Sequence, residues 1–182
     1  MAPVCFSVTS TKCASSSRAQ SACGPQALVA ARACTICAPA SQRDHALLLV
    51  AGQTGLRLSE LTSRRLQDVS LGTGAHVRCL GKGRKQRATP LTKPTAAVVT
   101  AWIKRQGQDN ALFLFPSARG GRLSADAVQH LVARHVATAQ KGCPSLSKKR
   151  VTPHVLRHTA AMELLQAGVD RALIAIWLGQ PS

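Results

Sequence analysis

The sequence predicts a mainly α-helical domain with one small antiparallel β-hairpin, an α+β fold, on three observations. Six stretches carry apolar residues at helical spacing. Two short segments alternate apolar and polar residues around a glycine-rich, basic link, and capping residues stand at the edges of several elements.

At 182 residues and 45% hydrophobic content, the chain is long enough for one domain with a real core. Lysine and arginine number 24 against 7 acids, a formal charge of +17, which points to a polyanion, DNA or RNA, as partner. A membrane is the poorer fit. The basic residues do not line one face of an apolar helix, and no apolar run approaches the roughly 20 residues that span a bilayer. The start, Met1 to Phe6, has neither the basic nor the long apolar region of a signal peptide, so a cytoplasmic protein is expected. The cysteines, seven in all, are irregularly spaced, and Cys34-Thr35-Ile36-Cys37 is a lone C-x-x-C with no second ligand pair. Free thiols in a reducing compartment are therefore expected, and no metal.

Residues 1–42 are rich in Ser, Ala and Cys, with Lys12, Arg18 and Arg32 as their charges and no sustained period. They are expected to be a disordered or non-native leader, and 43–182 the folded domain. From Asp44 the character changes. Ala46 to Ala51 reads as a buried helix stopped by Gly55, and a second helix starts at Leu58 and continues to Leu66. Segments His76–Leu80 and Arg87–Leu91 then alternate around Gly81-Lys82-Gly83-Arg84-Lys85-Gln86, a hairpin with a basic tip. Further helices are expected over Thr95–Gln106 and Ser124–Gln140, separated by Phe113-Leu114-Phe115-Pro116 and a Gly120-Gly121 turn. Lys148-Lys149-Arg150 precedes a helix starting near Pro153 and ending at Gly168, and Asp170 caps a last amphipathic stretch.

The stretch Val151-Thr152-Pro153-His154-Val155-Leu156-Arg157-His158-Thr159 organises the rest. Thr152 suits an N-cap and Pro153 the first helical position, where its missing N–H costs nothing. His154 and Arg157 then share one face with Cβ atoms roughly 5–6 Å apart, beside free N–H groups that favour a phosphate. The bland alternative is a solvated first turn. Arg57 falls in a tight turn after Gly55, where it is either held for a phosphate or simply paired with Glu60. The hairpin lysine, Lys82, either swings into a groove or keeps the tip soluble.

Taken in order, Thr54-Gly55-Leu56-Arg57-Leu58-Ser59-Glu60-Leu61, Gly81-Lys82-Gly83, His154-Val155-Leu156-Arg157-His158 and Trp177-Leu178-Gly179 resemble the catalytic domain of the tyrosine recombinases, the phage-integrase family. The likeness covers Arg43 to Gln180. It implies that Arg57 and Arg157 clamp the scissile phosphate of double-stranded DNA, that Lys82 protonates the departing 5′-hydroxyl, and that His154 assists proton transfer at the nucleophile. It implies that Glu60 orients the first arginine; on the charge and its basic clusters, Arg84, Lys85, Arg87, Lys148, Lys149 and Arg150 are expected to contact DNA. A tyrosine attacks DNA in such enzymes to give a 3′-phosphotyrosyl link, so no cofactor is needed, and members assemble as tetramers on DNA.

The sequence departs from that pattern twice. The family's Leu-Gly-His reads Leu178-Gly179-Gln180, an amide in place of an imidazole, and the 182 residues contain no tyrosine. The expectation is therefore an inactive remnant, truncated before the nucleophile, that still binds DNA. Ser182 is no substitute, because nothing supplies it with a base. Three other readings stand beside this one: a non-catalytic DNA-binding module, a type IB topoisomerase-like fragment, and a basic structural or ribosome-associated protein.

Overall fold

The structure, a computed structural model, describes residues 39–80, 86–107, 112–143 and 146–179. Helix α1 runs Pro39–Thr54 and α2 Leu58–Thr62; a 3-10 turn at Leu66–Asp68 leads into strands β1 (Val69–Ser70), β2 (His76–Leu80) and β3 (Gln86–Pro90). Helices α3 (Lys93–Gln106), α4 (Ala125–Gly142), α5 (Pro153–Gln166) and α6 (Arg171–Leu178) complete the order. The mainly helical α+β fold read from the sequence is what the chain adopts.

Helix α1 is the hub. It packs against α3 on one side and α5 on the other, α5 carries α6, and α4 lies against α2 and α5. Leu47, Val50, Val77, Val99, Leu114, Phe115, Val128 and Leu156 are almost wholly buried and join these elements in one core. The Trp102 indole N–H donates to the Leu114 carbonyl at 2.8 Å, so the largest core ring also fixes the irregular segment beside it. Among the described residues, no helix is long and apolar enough to cross a membrane.

Two capping expectations hold. Thr152 Oγ1 accepts from Val155 N at 3.3 Å and Asp170 Oδ1 from Ala172 N at 2.8 Å; Ser124, expected only as the first residue of its helix, also caps it, its Oγ accepting from Ala127 N at 3.0 Å. Other boundaries differ. Helix α1 starts at Pro39, ahead of the apolar run Ala46 to Ala51 that predicts it. The second helix stops at Thr62 and does not reach Leu66, because the next residues are drawn into tertiary pairing: Arg64 Nη1 donates to the Arg78 carbonyl at 2.7 Å and Leu114 N to the Arg64 carbonyl at 2.8 Å. The hairpin gains a third strand, β1, which pairs antiparallel with β2, and β3 begins one residue earlier than expected. In the register of β2 with β3, Val77 faces Thr89 and Cys79 faces Arg87, and all but Arg87 of these four are nearly inaccessible.

Asp44 ties α1 to α4. Its side chain is fully buried, and Oδ1 takes two bonds from Arg43 at 2.8 and 3.0 Å, while Oδ2 pairs with Arg134 and His135. Burial pushes its pKa up, but the bonds from His135 and Arg43 and the charges of Arg43 and Arg134 outweigh that and hold it below the usual carboxylate range. A carboxylate with a lowered folded pKa stabilises the fold above its unfolded pKa and stops doing so as the pH falls through the folded one. The urea midpoint should thus hold steady from about pH 7 to pH 5 and fall below roughly pH 4. Asp44→Asn should flatten part of that acid limb; an unchanged acid profile would count against the role given to Asp44.

Candidate active site

The site forms where the C-terminal ends of α1 and α6 meet the N-terminus of α5. A helix end leaves its last carbonyls without partners, and their partial negative charge attracts cations. Here side chains meet that need. The Trp177 indole donates to the Thr54 carbonyl at 3.2 Å, Arg157 Nη1 to the Gly55 carbonyl, Arg157 Nη2 to Leu178 at 2.7 Å, and Arg57 Nη2 to Gly179 at 3.1 Å. Both arginines are anchored through part of their donor set, leaving N–H groups for a ligand.

Two glycines make this approach possible. Gly55 and Gly179 adopt φ of +60° and +64°, and each ends its helix in the left-handed region that favours glycine. A Cβ on Gly55 would lie 2.7 Å from Leu178 Cδ2, and one on Gly179 would fall on the Arg87 guanidinium.

Arg57 has an extended backbone, φ −63° and ψ 149°, in the break between α1 and α2. Its N–H donates to Glu60 Oε2 at 2.8 Å, the N-terminal cap of α2, while its Nη1 stands 3.5 Å from Glu60 Oε1. The Arg57–Glu60 pair that the sequence left as an alternative is thus present, but loose at the side chain, and Arg57 stays 40% exposed. Glu60 is held more firmly by Arg87, at 2.8 and 3.2 Å. Burial pushes the Glu60 pKa up, and the Arg57 N–H, the Arg87 bonds and the two guanidinium charges more than reverse that, so it stays ionised. For Arg157, burial and the charges of Arg57 and Arg87 lower the pKa against the pull of Glu60. Three guanidiniums around one carboxylate leave a surplus of positive charge, a seat suited to an anion.

Arg57, Arg157 and His154 line one cleft of about 720 Å³, together with Arg150, Gln129 and His130. The structure therefore brings together three of the expected catalytic residues, from two separate stretches of sequence, with Glu60 behind them. Lys82, Arg84, Lys85 and Gln180 lie outside the described residues. Lys148 and Lys149 are exposed ahead of α5, and Arg150 reaches the cleft. Arg87 is a correction: expected at the DNA surface, its side chain is 12% exposed and turned onto Glu60. The reason is the strand period, since Arg87 shares its face of β3 with buried Thr89. Sequence reasoning also missed the α4 wall. Asp126, Gln129, His130 and Ala133 recur at helical spacing and all line the cleft, a face legible in the sequence to anyone pairing α4 with α5.

The fold and the site define a mainly helical domain with an arginine pair and a histidine on one cleft. The model of the Phage integrase family matches residues 26–180, and the chain belongs to that family. It is 57% identical over 141 residues to the "Putative integrase/recombinase y4rC" of Sinorhizobium fredii, covering 78% of this chain and 42% of that protein. It is 34% identical to the tyrosine recombinase XerC of Pelobacter propionicus over 77% of this chain and 44% of the relative. Among solved structures, the XerH site-specific recombinase in a pre-cleavage complex with its difH substrate matches with a TM-score of 0.73 and 23% identity, over 87% of this chain and 45% of that one. The XerA recombinase matches with a TM-score of 0.69 and 25% identity, over 87% and 55%. The chain spans less than half the length of these two curated relatives.

Proposed function

We propose that this domain binds double-stranded DNA as the phosphate-clamping part of a tyrosine recombinase. The single observation that carries the reading is the meeting of Arg57, Arg157 and His154 on one cleft with a surplus of positive charge. In it, Arg57 and Arg157 neutralise charge on the scissile phosphate, and His154 assists proton transfer at the attacking oxygen. Lys82 delivers a proton to the departing 5′-hydroxyl, Gln180 hydrogen-bonds where the family has an imidazole, and Glu60 orients Arg57. Arg150, Lys148 and Lys149 add contacts to the DNA backbone. The polypeptide is cytoplasmic.

A second reading, a DNA-binding module without catalysis, is favoured by one observation: the 182 residues hold no tyrosine. Without that nucleophile no phosphotyrosyl link forms on this polypeptide, and binding is what it can do. Both readings predict that affinity for duplex DNA falls steeply between 50 and 200 mM salt, by roughly a hundredfold or more, because bound phosphates release counterions. Fluorescence anisotropy on a labelled mixed-sequence duplex checks this. Affinity that stays flat across the series would contradict DNA binding through phosphates.

A further inference from the structure

We infer that Arg87 is a positioning residue for Arg57: by occupying both carboxylate oxygens of Glu60, it leaves the Arg57 guanidinium free to face the cleft. The assignment rests on the phosphate-clamp reading above.

Arg87 reaches Glu60 from β3, on the face that points into the protein. Its two terminal nitrogens take one oxygen each, at 3.2 and 2.8 Å, the parallel fork that gives guanidinium–carboxylate pairs their strength. Arg57 competes for the same carboxylate and holds the weaker share: its backbone N–H bonds at 2.8 Å, but its guanidinium makes only the 3.5 Å contact. The free end of Arg57 turns instead to the Gly179 carbonyl at 3.1 Å. Arg87 braces that support too, because its Nη1 sits 1.9 Å from where a Gly179 Cβ would be, flush against the backbone. Arg87 therefore touches both groups that hold Arg57.

The consequence follows from the cost of a buried charge. Glu60 is 7% exposed and must keep a strong donor. With Arg87 gone, the nearest charged donor is Arg57 Nη1 at 3.5 Å, and the carboxylate would close on it and draw it away from Gly179 and from the cleft.

The test measures duplex DNA affinity and its salt dependence by anisotropy, on the full 182-residue chain and its variants, with thermal melting as a check on folding. Arg57→Ala should weaken binding several-fold and lower the salt slope by about one, the signature of one lost phosphate contact. Arg87→Ala should do the same, yet add nothing in the Arg57→Ala background. Glu60→Gln combined with Arg87→Gln should bind more tightly than Arg87→Ala, since no carboxylate remains to capture Arg57; this pair also avoids an unpaired buried charge if Arg87→Ala fails to fold. An Arg87→Ala loss of equal size with or without Arg57 would overturn the inference, as would an Arg87→Gln, Glu60→Gln chain as weak as Arg57→Ala. A folded Arg87→Ala chain that binds like the parent would overturn it as well. If Arg57→Ala itself binds like the parent, the phosphate clamp fails, and the inference with it, by a result distinct from the others.

Discussion

Gly55→Ala should melt roughly 10 °C below the parent chain. The left-handed backbone at φ +60° costs a residue with a Cβ about 1–2 kcal/mol, and the Cβ itself would stand 2.7 Å from Leu178 Cδ2 and 3.3 Å from the Ala160 Cβ. Leu178 and Ala160 are both buried, so neither retreats without disturbing the packing of α5 and α6 against α1, an overpacking penalty of about 1–3 kcal/mol. Together these give about 2–5 kcal/mol, which for a domain of this size is roughly 4–20 °C at about 2–4 °C per kcal/mol. The effect reaches the site, because the Gly55 carbonyl is one of the two anchors of Arg157. Gly72→Ala is the control: nothing lies within 4 Å of its Cβ position, and the melting temperature should hardly move. Calorimetry that finds the two variants equally stable would contradict the packing described for Gly55.

The second large effect concerns chemistry. The unmodified polypeptide should neither cleave nor rejoin DNA, since its 182 residues contain no tyrosine to attack the phosphate that the proposed clamp would hold. Appending a family-like C-terminal segment that carries the tyrosine, with Gln180→His, should allow a covalent adduct to be trapped on a nicked suicide substrate. In that repaired chain Arg157→Ala should cost about 3–4 kcal/mol of transition-state stabilisation, on the order of a hundred- to a thousandfold in the rate of adduct formation. Part of that loss is positional, because Arg157 also holds the Gly55 and Leu178 carbonyls. Arg157→Lys separates the two contributions: it keeps the charge and loses the two-pronged anchoring. Adduct formed by the unmodified chain, or a repaired chain indifferent to Arg57 and Arg157, would refute the clamp.

Much of the architecture was legible because the relevant signals are local. Thr152-Pro153, Ser124 and Asp170 start their helices through hydrogen bonds within one turn, and Gly168 and Gly179 end theirs by backbone conformation alone. Helical spacing alone pairs His154 with Arg157, but Arg57 could be joined to them only through family resemblance, since it lies about a hundred residues away and no periodicity links α1 to α5. What local reasoning missed is where distant groups compete. Arg87 sits beside a basic tip and reads as surface charge, but hairpin register places it opposite buried Cys79 and within reach of Glu60. The early end of α2 has the same origin, because Arg64 and Leu66 bond to carbonyls of residues 78 and 112, which no reading of the segment itself would supply.

The most direct test of the account is to locate bound DNA on the surface. A short duplex titrated into the isotope-labelled chain should shift amide resonances most at Arg57, Val151 to Arg157 and Gln129 to Ala133, the walls of the Arg57–Arg157 cleft. Shifts confined to basic residues away from it, such as Lys104 and Arg105 at the end of α3, would show that charge alone draws DNA to the chain and that the cleft seats no phosphate.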